Sequence, residues 1–369
     1  MITLSICIPT YKRPECIEKS LENYLNIIKE NGFEDKVEIC LSDNSPDSET
    51  EKIAASYMKK IRHMRYSKNK ENVGYDANVI KVVSMSSGEY FYPTSDENIM
   101  AADRLADIMR LLGEKEPDMI YCIWRKERFL HSLPNELPDP SVLLRWFLSP
   151  EGVRERVITH ISMFVVRKSL FDAMKAQAGE RISLFYNLSF VQNAFILHGL
   201  NNSKKVLLYK QGLDPYDLTP KMGQLYLPSD IANVLYYKYF FTVKHCADLG
   251  LISASDYAYF HRNFLPNLFF GMLKLRSHLD SFLYPFEAEK MVAALRKVED
   301  CYTGFPRALL GIWEKLLFIK PIPYHLLYKA NFLFNSRVLG KKCFDGLSVY
   351  RRFYQKDPSL LAGFKQTEF

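Results

Sequence analysis

The sequence predicts an α/β domain followed by an α-helical one. Three observations carry that expectation. Strand, polar loop and helix alternate repeatedly over roughly the first two hundred residues, which is the pattern of a mostly parallel sheet with helices on both faces. A stretch rich in Pro and Gly, Gly212–Pro228, then interrupts the chain. From Ser229 onward the apolar residues fall almost only at helical spacing. These observations divide the chain into residues 1–220 and residues 221–369.

Ile2, Leu4, Ile6 and Ile8 alternate along a first strand, Leu4–Ile8, which stops at a polar loop bracketed by Pro9 and Pro14. Glu15–Lys29 carries Ile17, Leu21, Tyr24, Leu25 and Ile28 on one helical stripe. Val37–Leu41 is a second strand, ending in the turn-forming Ser42-Asp43-Asn44-Ser45-Pro46-Asp47. A helix over about 48–60 comes next, then a short strand His63–Tyr66, a loop Asn69–Gly74 and a helix Asp76–Met85. Gly88 opens the strand Tyr90–Tyr92, which runs into Thr94-Ser95-Asp96-Glu97-Asn98. Asp103–Leu112 is a helix and Met119–Trp124 a strand.

Residues 125–157, with Pro134, Pro138, Pro140 and Pro150, break the rhythm and read as an insertion over the crevice, acceptor-facing or lid-like. The rhythm resumes with a strand Ile161–Val166, helices Ser169–Gln177 and Asn187–Leu197, and a strand Lys205–Tyr209. The second domain is expected to hold helices at Ala232–Leu249, Asp256–Leu279, Glu287–Val298, Arg307–Phe318, Pro323–Phe334 and Ser348–Tyr354.

Composition excludes some classes. No uncharged apolar run reaches the roughly 18 residues of a membrane span. Met1–Ile8 has no basic n-region and reads as a strand, not a secretory signal. The seven cysteines are scattered without metal-ligand spacing, which points to reduced core residues and a cytoplasmic compartment. The net charge of +7 is concentrated. Residues 301–369 hold eleven Lys and Arg against four Asp and Glu, and the remainder of the chain holds 38 of each. That basic, aromatic tail fits an anionic membrane face or a packed bundle with a solvated basic side. No nucleic-acid-binding module accompanies the charge, so nucleic acid is not expected as a partner.

In a parallel sheet the loops that come after the strands share one edge, where open α/β sheets bind ligands. Asp96 and Glu97 at a strand end can hold a hard divalent cation, and such a cation suits a diphosphate. The same acids can instead cap the next helix. Pro9 and Thr10 end the first strand with backbone groups at that edge, and Tyr11 offers a flat stacking face. Asp43 can accept from a ligand N–H or close its own Asx turn. Asn72 and Gly74 precede a helix, where Gly allows close backbone approach. Asp76 is either the N-cap of that helix or a ligand contact.

Four segments in order, Ile6-Cys-Ile-Pro-Thr-Tyr-Lys-Arg13, Leu41-Ser-Asp-Asn-Ser45, Asn72-Val-Gly-Tyr-Asp-Ala-Asn78 and Gly88-Glu-Tyr…Ser-Asp-Glu-Asn98, resemble an inverting family-2 glycosyltransferase of Rossmann-like GT-A fold. The resemblance covers a little over half the chain. It implies a nucleotide-sugar donor, a UDP-sugar by preference, and a glycan or lipid-linked saccharide acceptor in bacterial surface-polysaccharide or lipopolysaccharide synthesis. It also implies a location in the cytoplasm, with the basic tail on the inner face of the membrane. Pro9, Thr10, Tyr11, Arg13, Asp43, Asn72, Gly74, Asp76, Ser95 and Asp96 then line the donor site. Asp96, Glu97 and Asn98 surround Mn²⁺ or Mg²⁺, with Thr94 standing where many members have another Asp. A carboxylate base usually opens a helix in the second half of such a domain. Here that position falls near Asn187, and an amide cannot be a base. His160 is the substitute, with Glu180 and Asp214 behind it. A nucleotidyltransferase would want a Gly-rich loop after the first strand, and residues 4–15 hold no Gly. A non-catalytic nucleotide-sugar or glycan-binding scaffold is the other reading, favoured by Asn187 and Thr94.

Overall fold

The computed structural model describes residues 1–123, 128–149, 152, 160–189, 191–211, 216–217, 237–264, 288–304, 307–308 and 310–312. The expected helices within 313–369, and all of 265–287, lie outside the described residues, as does Asp214. The chain separates into two compact units. One comprises Met1–Lys221 with Phe241–Phe260, and the other Met222–Phe240 with His261–Phe369.

The first unit is built on an eight-stranded sheet. Its strands are β1 (Leu4–Thr10), β2 (Val37–Asp43), β3 (Met64–Lys68), β4 (Tyr90–Pro93), β6 (Met119–Cys122), β7 (Glu136–Leu137), β8 (Phe164–Arg167) and β9 (Val206–Tyr209). They lie in the order β3-β2-β1-β4-β8-β6-β9-β7. The β3-β2-β1-β4 half is parallel throughout. β8 then runs antiparallel to both β4 and β6, β9 is parallel to β6, and β7 is an antiparallel edge. A separate two-stranded ribbon pairs β5 (Asn98–Ile99) with β10 (Tyr216–Asp217).

Every residue of β1 and β2 is buried, as expected for strands covered on both faces. One face is covered by α1 (Pro14–Glu30) and α4 (Ala102–Lys115), whose Ile17, Leu21, Tyr24, Leu105, Ile108 and Leu112 pack on Ile6, Ile8, Ile39 and Leu41. α1 starts with Pro at its first position, where the missing N–H costs nothing. The other face holds α3 (Tyr75–Met85), α7 (Lys168–Ala178) and α8 (Val191–Asn202). There Phe91, Phe171 and Phe195 meet edge to face, with centroids 5.2–6.1 Å apart. Each such ring contributes about 1.5–3 kcal/mol by leaving water. Gly88 is needed for closeness. A Cβ there would stand 2.5 Å from Ser5 Oγ and 2.9 Å from Ser5 N.

Three expectations are corrected. The insertion expected over 125–157 is described at 128–149 and 152, and that part is built into the domain: α5 (Arg128–Ser132) and α6 (Ser141–Phe147) bury Leu130, Leu143, Leu144, Trp146 and Phe147, and β7 extends the sheet. The run Ile161–Val166 opens with a 3₁₀ turn, Ile161–Met163, and only then becomes β8. The helix expected from Asn187 starts at Val191, because Asn187 and Ser189 have φ of 66° and 61° and cannot continue a helix. α2 (Glu49–Tyr57) lies over the β2–β3 edge. Beyond residue 230 the described helices include α9 (Tyr239–Asp248) and α10 (Ala288–Glu299), and residues 254–264 are helical too, the described part of the helix expected from Asp256. No helix among the described residues is long and apolar enough to cross a membrane. Cys7, Cys16, Cys40, Cys122 and Cys246 are buried thiols outside any disulfide.

Candidate active site

The strand ends of the parallel half meet around Thr10. Thr10 is the register partner of Asp43. Its Oγ1 donates to Asp96 Oδ2 across 2.7 Å. Asn44 N donates back to Thr10 O at 3.0 Å, and Thr94 N donates to Cys7 O at 2.9 Å. The expectation that Asp43 and Asp96 share one rim is therefore met through a single residue.

Asp43 is fully buried. Its Oδ1 accepts from Ser45 N at 2.7 Å, which closes the Asx turn, and its Oδ2 accepts from Tyr66 Oη at 2.9 Å. Burial and that carboxylate push the Tyr66 phenol well above its ordinary range. Each carboxylate oxygen keeps a second lone pair. Tyr11 is 41% exposed, with Lys12 Nζ 5.2 Å from its ring centroid. Pro9 lies within β1, paired with Ser42.

Asn44, Asn69 and Asn78 form the scaffold behind this rim. Asn69 Nδ2 donates to Asn44 Oδ1 at 2.7 Å and to Asn78 Oδ1 at 3.0 Å. Asn78 Nδ2 reaches Ser42 O at 3.1 Å and Thr10 O at 3.4 Å, and Asn44 Nδ2 donates to Gly74 O at 3.2 Å. Three strand ends and the Asn72–Gly74 turn are thereby fixed to one another. Gly74 has φ 82°, a backbone only Gly adopts without strain, and a Cβ there would meet Asn187 Oδ1 at 3.4 Å. Asn72 is exposed, and its Oδ1 accepts from Gly74 N at 3.0 Å.

Asp76 serves another element. Its carboxylate accepts from Ser189 N at 2.7 Å and Val191 N at 3.0 Å, so it caps α8 rather than its own helix. It is buried, and it holds the positive-φ residues Asn187 and Ser189 in place beside Gly74.

Asp96 is 4% exposed. Desolvation by burial raises its pKa, against the opposing pull of Arg13 and its hydrogen bonds. Arg13 Nη1 lies 3.1 Å from Asp96 Oδ1 and also pairs with Glu97 Oε1. The two carboxylates thus converge on one positive charge. Glu97 N donates to Ser95 Oγ at 3.3 Å. Asn98 Nδ2 donates to Ser162 Oγ, which also sits 3.1 Å from Thr94 Oγ1 and 3.4 Å from Ser95 N. Among the described residues no group of three or more His, Cys, Asp and Glu could hold a metal ion.

β8 explains why Ser162 arrives here. Because β8 runs antiparallel to β4, its leading end lies at the edge where β4 finishes, and Arg167 at its trailing end pairs with Tyr90 at the start of β4. His160 immediately precedes the Ile161–Met163 turn and is partly buried. Glu180 is exposed on the 3₁₀ turn Gly179–Phe185. Ser162 and Asn69 carried no motif in the sequence. A strand reversal is invisible to residue spacing, and Asn69 differs from an ordinary loop residue only once its partners are known.

Residues 5–174 match the sequence model described as glycosyl transferase family 2. The abequosyltransferase RfbV of Salmonella typhimurium strain LT2 is 27% identical over 225 residues, 56% of this chain and 63% of that protein. The match thus spans less than two thirds of that relative. The crystal structure of S. aureus TarS 1–349 shares the fold with TM-score 0.53 at 16% identity, over 93% of this chain and 94% of that one. The same protein in complex with UDP-GlcNAc gives TM-score 0.51 at 15% identity, over 88% of this chain and 89% of that one. The fold is GT-A.

Proposed function

From the premise that residues 5–174 form a family-2 glycosyltransferase domain, we propose that the chain moves a sugar from a nucleotide-sugar donor to a glycan or lipid-linked acceptor. The observation that carries this reading is the convergence of Thr10, Asp43, Arg13 and Asp96 at one edge of the sheet. A UDP-sugar is the proposed donor, the class held by TarS on the same fold. The name of RfbV supports a bacterial surface glycan as the setting.

The chain's own residues supply most of the donor grip. Tyr11 offers its exposed face to the base, and Asp43 offers its remaining lone pairs to a base N–H. Arg13 supplies positive charge for the diphosphate. Asp96 and Glu97 are the carboxylates we assign to a divalent cation, Mn²⁺ or Mg²⁺, with Asn98 next to them in the chain. The Arg13 guanidinium already marks the point where the two carboxylates meet, and such ions take one or two carboxylates with substrate phosphates. When bound, that cation neutralises charge on the leaving diphosphate. Transfer is a direct displacement that inverts the anomeric carbon, and His160 takes the proton of the acceptor hydroxyl. The basic tail, residues 301–369, is assigned to the inner face of the membrane, which places the enzyme in the cytoplasm.

A panel of nucleotide sugars, tested with Mn²⁺ for donor hydrolysis and for calorimetric binding of UDP, decides the matter. Metal-dependent hydrolysis of one donor is expected, and absence of UDP binding in the presence of Mn²⁺ removes the reading. Asn187, an amide near the place expected of a base, favours a second reading: a nucleotide-sugar or glycan-binding scaffold. Donor binding without transfer to any acceptor would support it.

A further inference from the structure

Arg13 stands between the two carboxylates that the proposed function assigns to a cation. Its guanidinium touches Asp96 Oδ1 and Glu97 Oε1 together. Asp96 Oδ2 is held by the Thr10 hydroxyl, and Ser95 Oγ lies 3.5 Å from Oδ1. The Arg13 side chain is 20% exposed, while those of Asp96 and Glu97 are 5% and 12% exposed. It is the only one of the three with a long flexible stem. It can leave for solvent or a ligand while its backbone stays, because Pro14 fixes the start of α1 behind it.

Charge balance favours an exchange of partners at this point. Two buried carboxylates with no partner are costly, and one guanidinium offsets half of their charge. A divalent cation offsets all of it. A guanidinium and a divalent cation side by side repel each other strongly in a poorly solvated site. We propose that Arg13 is a tethered stand-in for the cation, displaced from Asp96 and Glu97 when the cation binds and captured by the diphosphate of the donor. This rests on the glycosyltransferase reading and adds to it. Cation and nucleotide binding become coupled through one side chain, because the diphosphate stabilises the displaced position.

The test measures Mn²⁺ binding directly, by calorimetry and by the electron paramagnetic resonance of free Mn²⁺, with and without UDP. In the wild type, UDP is expected to tighten Mn²⁺ binding. In Arg13→Gln, Mn²⁺ alone should bind about tenfold more tightly than to the wild type, and the tightening by UDP should shrink by a similar factor. Thermal melts establish that the variant is folded. If Arg13→Gln does not fold, Arg13→Lys carries the test. Its point charge cannot span both carboxylates, so an intermediate gain in Mn²⁺ affinity is expected. Equal or weaker Mn²⁺ binding in the folded variant overturns the proposal, and so does a wild type that binds UDP but no Mn²⁺. Failure of the wider reading looks different, since the wild type would then bind no UDP at all.

Discussion

The Thr10 hydroxyl donates to Asp96 Oδ2 across 2.7 Å, although 86 positions separate the two residues. It is a side-chain link between the end of β1 and the acidic turn after β4. Thr10→Val keeps the β-branched shape and removes the donor, leaving a buried carboxylate one partner short. Stability should fall by about 1–3 kcal/mol in a urea melt. Donor hydrolysis should fall about tenfold or more in kcat/KM, since 1.4 kcal/mol of lost positioning is a factor of ten. Unchanged hydrolysis would take Thr10 out of the donor site.

Asp76 should reveal itself through stability. Its two oxygens accept the Ser189 and Val191 N–H groups at the start of α8. Asp76→Ala should cost about 1–2 kcal/mol, the upper range for a lost cap. Asp76→Asn, which keeps one acceptor, should cost less. UDP affinity by calorimetry should stay within about twofold in Asp76→Asn, since 0.4 kcal/mol is a factor of two. A larger loss would make Asp76 a nucleotide contact.

Glu38 carries an acid-sensitive part of the fold, at the far edge of the sheet. Burial works against its ionised form, but hydrogen bonds from Ser5 Oγ, Ser87 N and Ser87 Oγ, with Arg65 beside it, hold its pKa below the usual glutamate value. A carboxylate whose folded pKa is depressed adds stability above the unfolded pKa. That contribution is lost as pH falls through the folded one. The wild type should therefore lose stability as pH drops below the ordinary glutamate range. Glu38→Gln should be less stable at neutral pH and should show a shallower acid slope. Parallel melting curves for the two proteins would remove this role from Glu38.

His160 is tested by how its loss divides between turnover and binding. With His160 as the base, His160→Ala should lower kcat by roughly 10²–10⁴ and leave UDP binding intact. An unchanged kcat would move the search to other residues.

The parallel half was legible because its signals are local. Alternating Ile and Leu marked β1, and a polar turn after each strand marked the rim that Thr10, Asp43 and Asp96 share. The features that stayed hidden depend on tertiary partners. Nothing at Asp76 announces that it caps a helix 115 residues away. The prolines of 125–157 read as loop, yet Leu137 and Phe147 are buried there, because short elements at a sheet edge leave little periodicity. The left-handed residues before Val191 displaced the helix start expected at Asn187, since Asn tolerates φ above zero without requiring it and Ser gives no such signal.

The reversed direction of β8 sorts chain lengthening into two kinds. Extra residues spliced in just ahead of Ile161 would spill over the acidic turn beside Ser162 and reshape what can dock there. Extra residues between Arg167 and Lys168 would emerge on the opposite side, beside Glu89 and Asp118. A library meant to change acceptor choice therefore belongs upstream of this strand, and a purification tag or fluorophore belongs downstream of it.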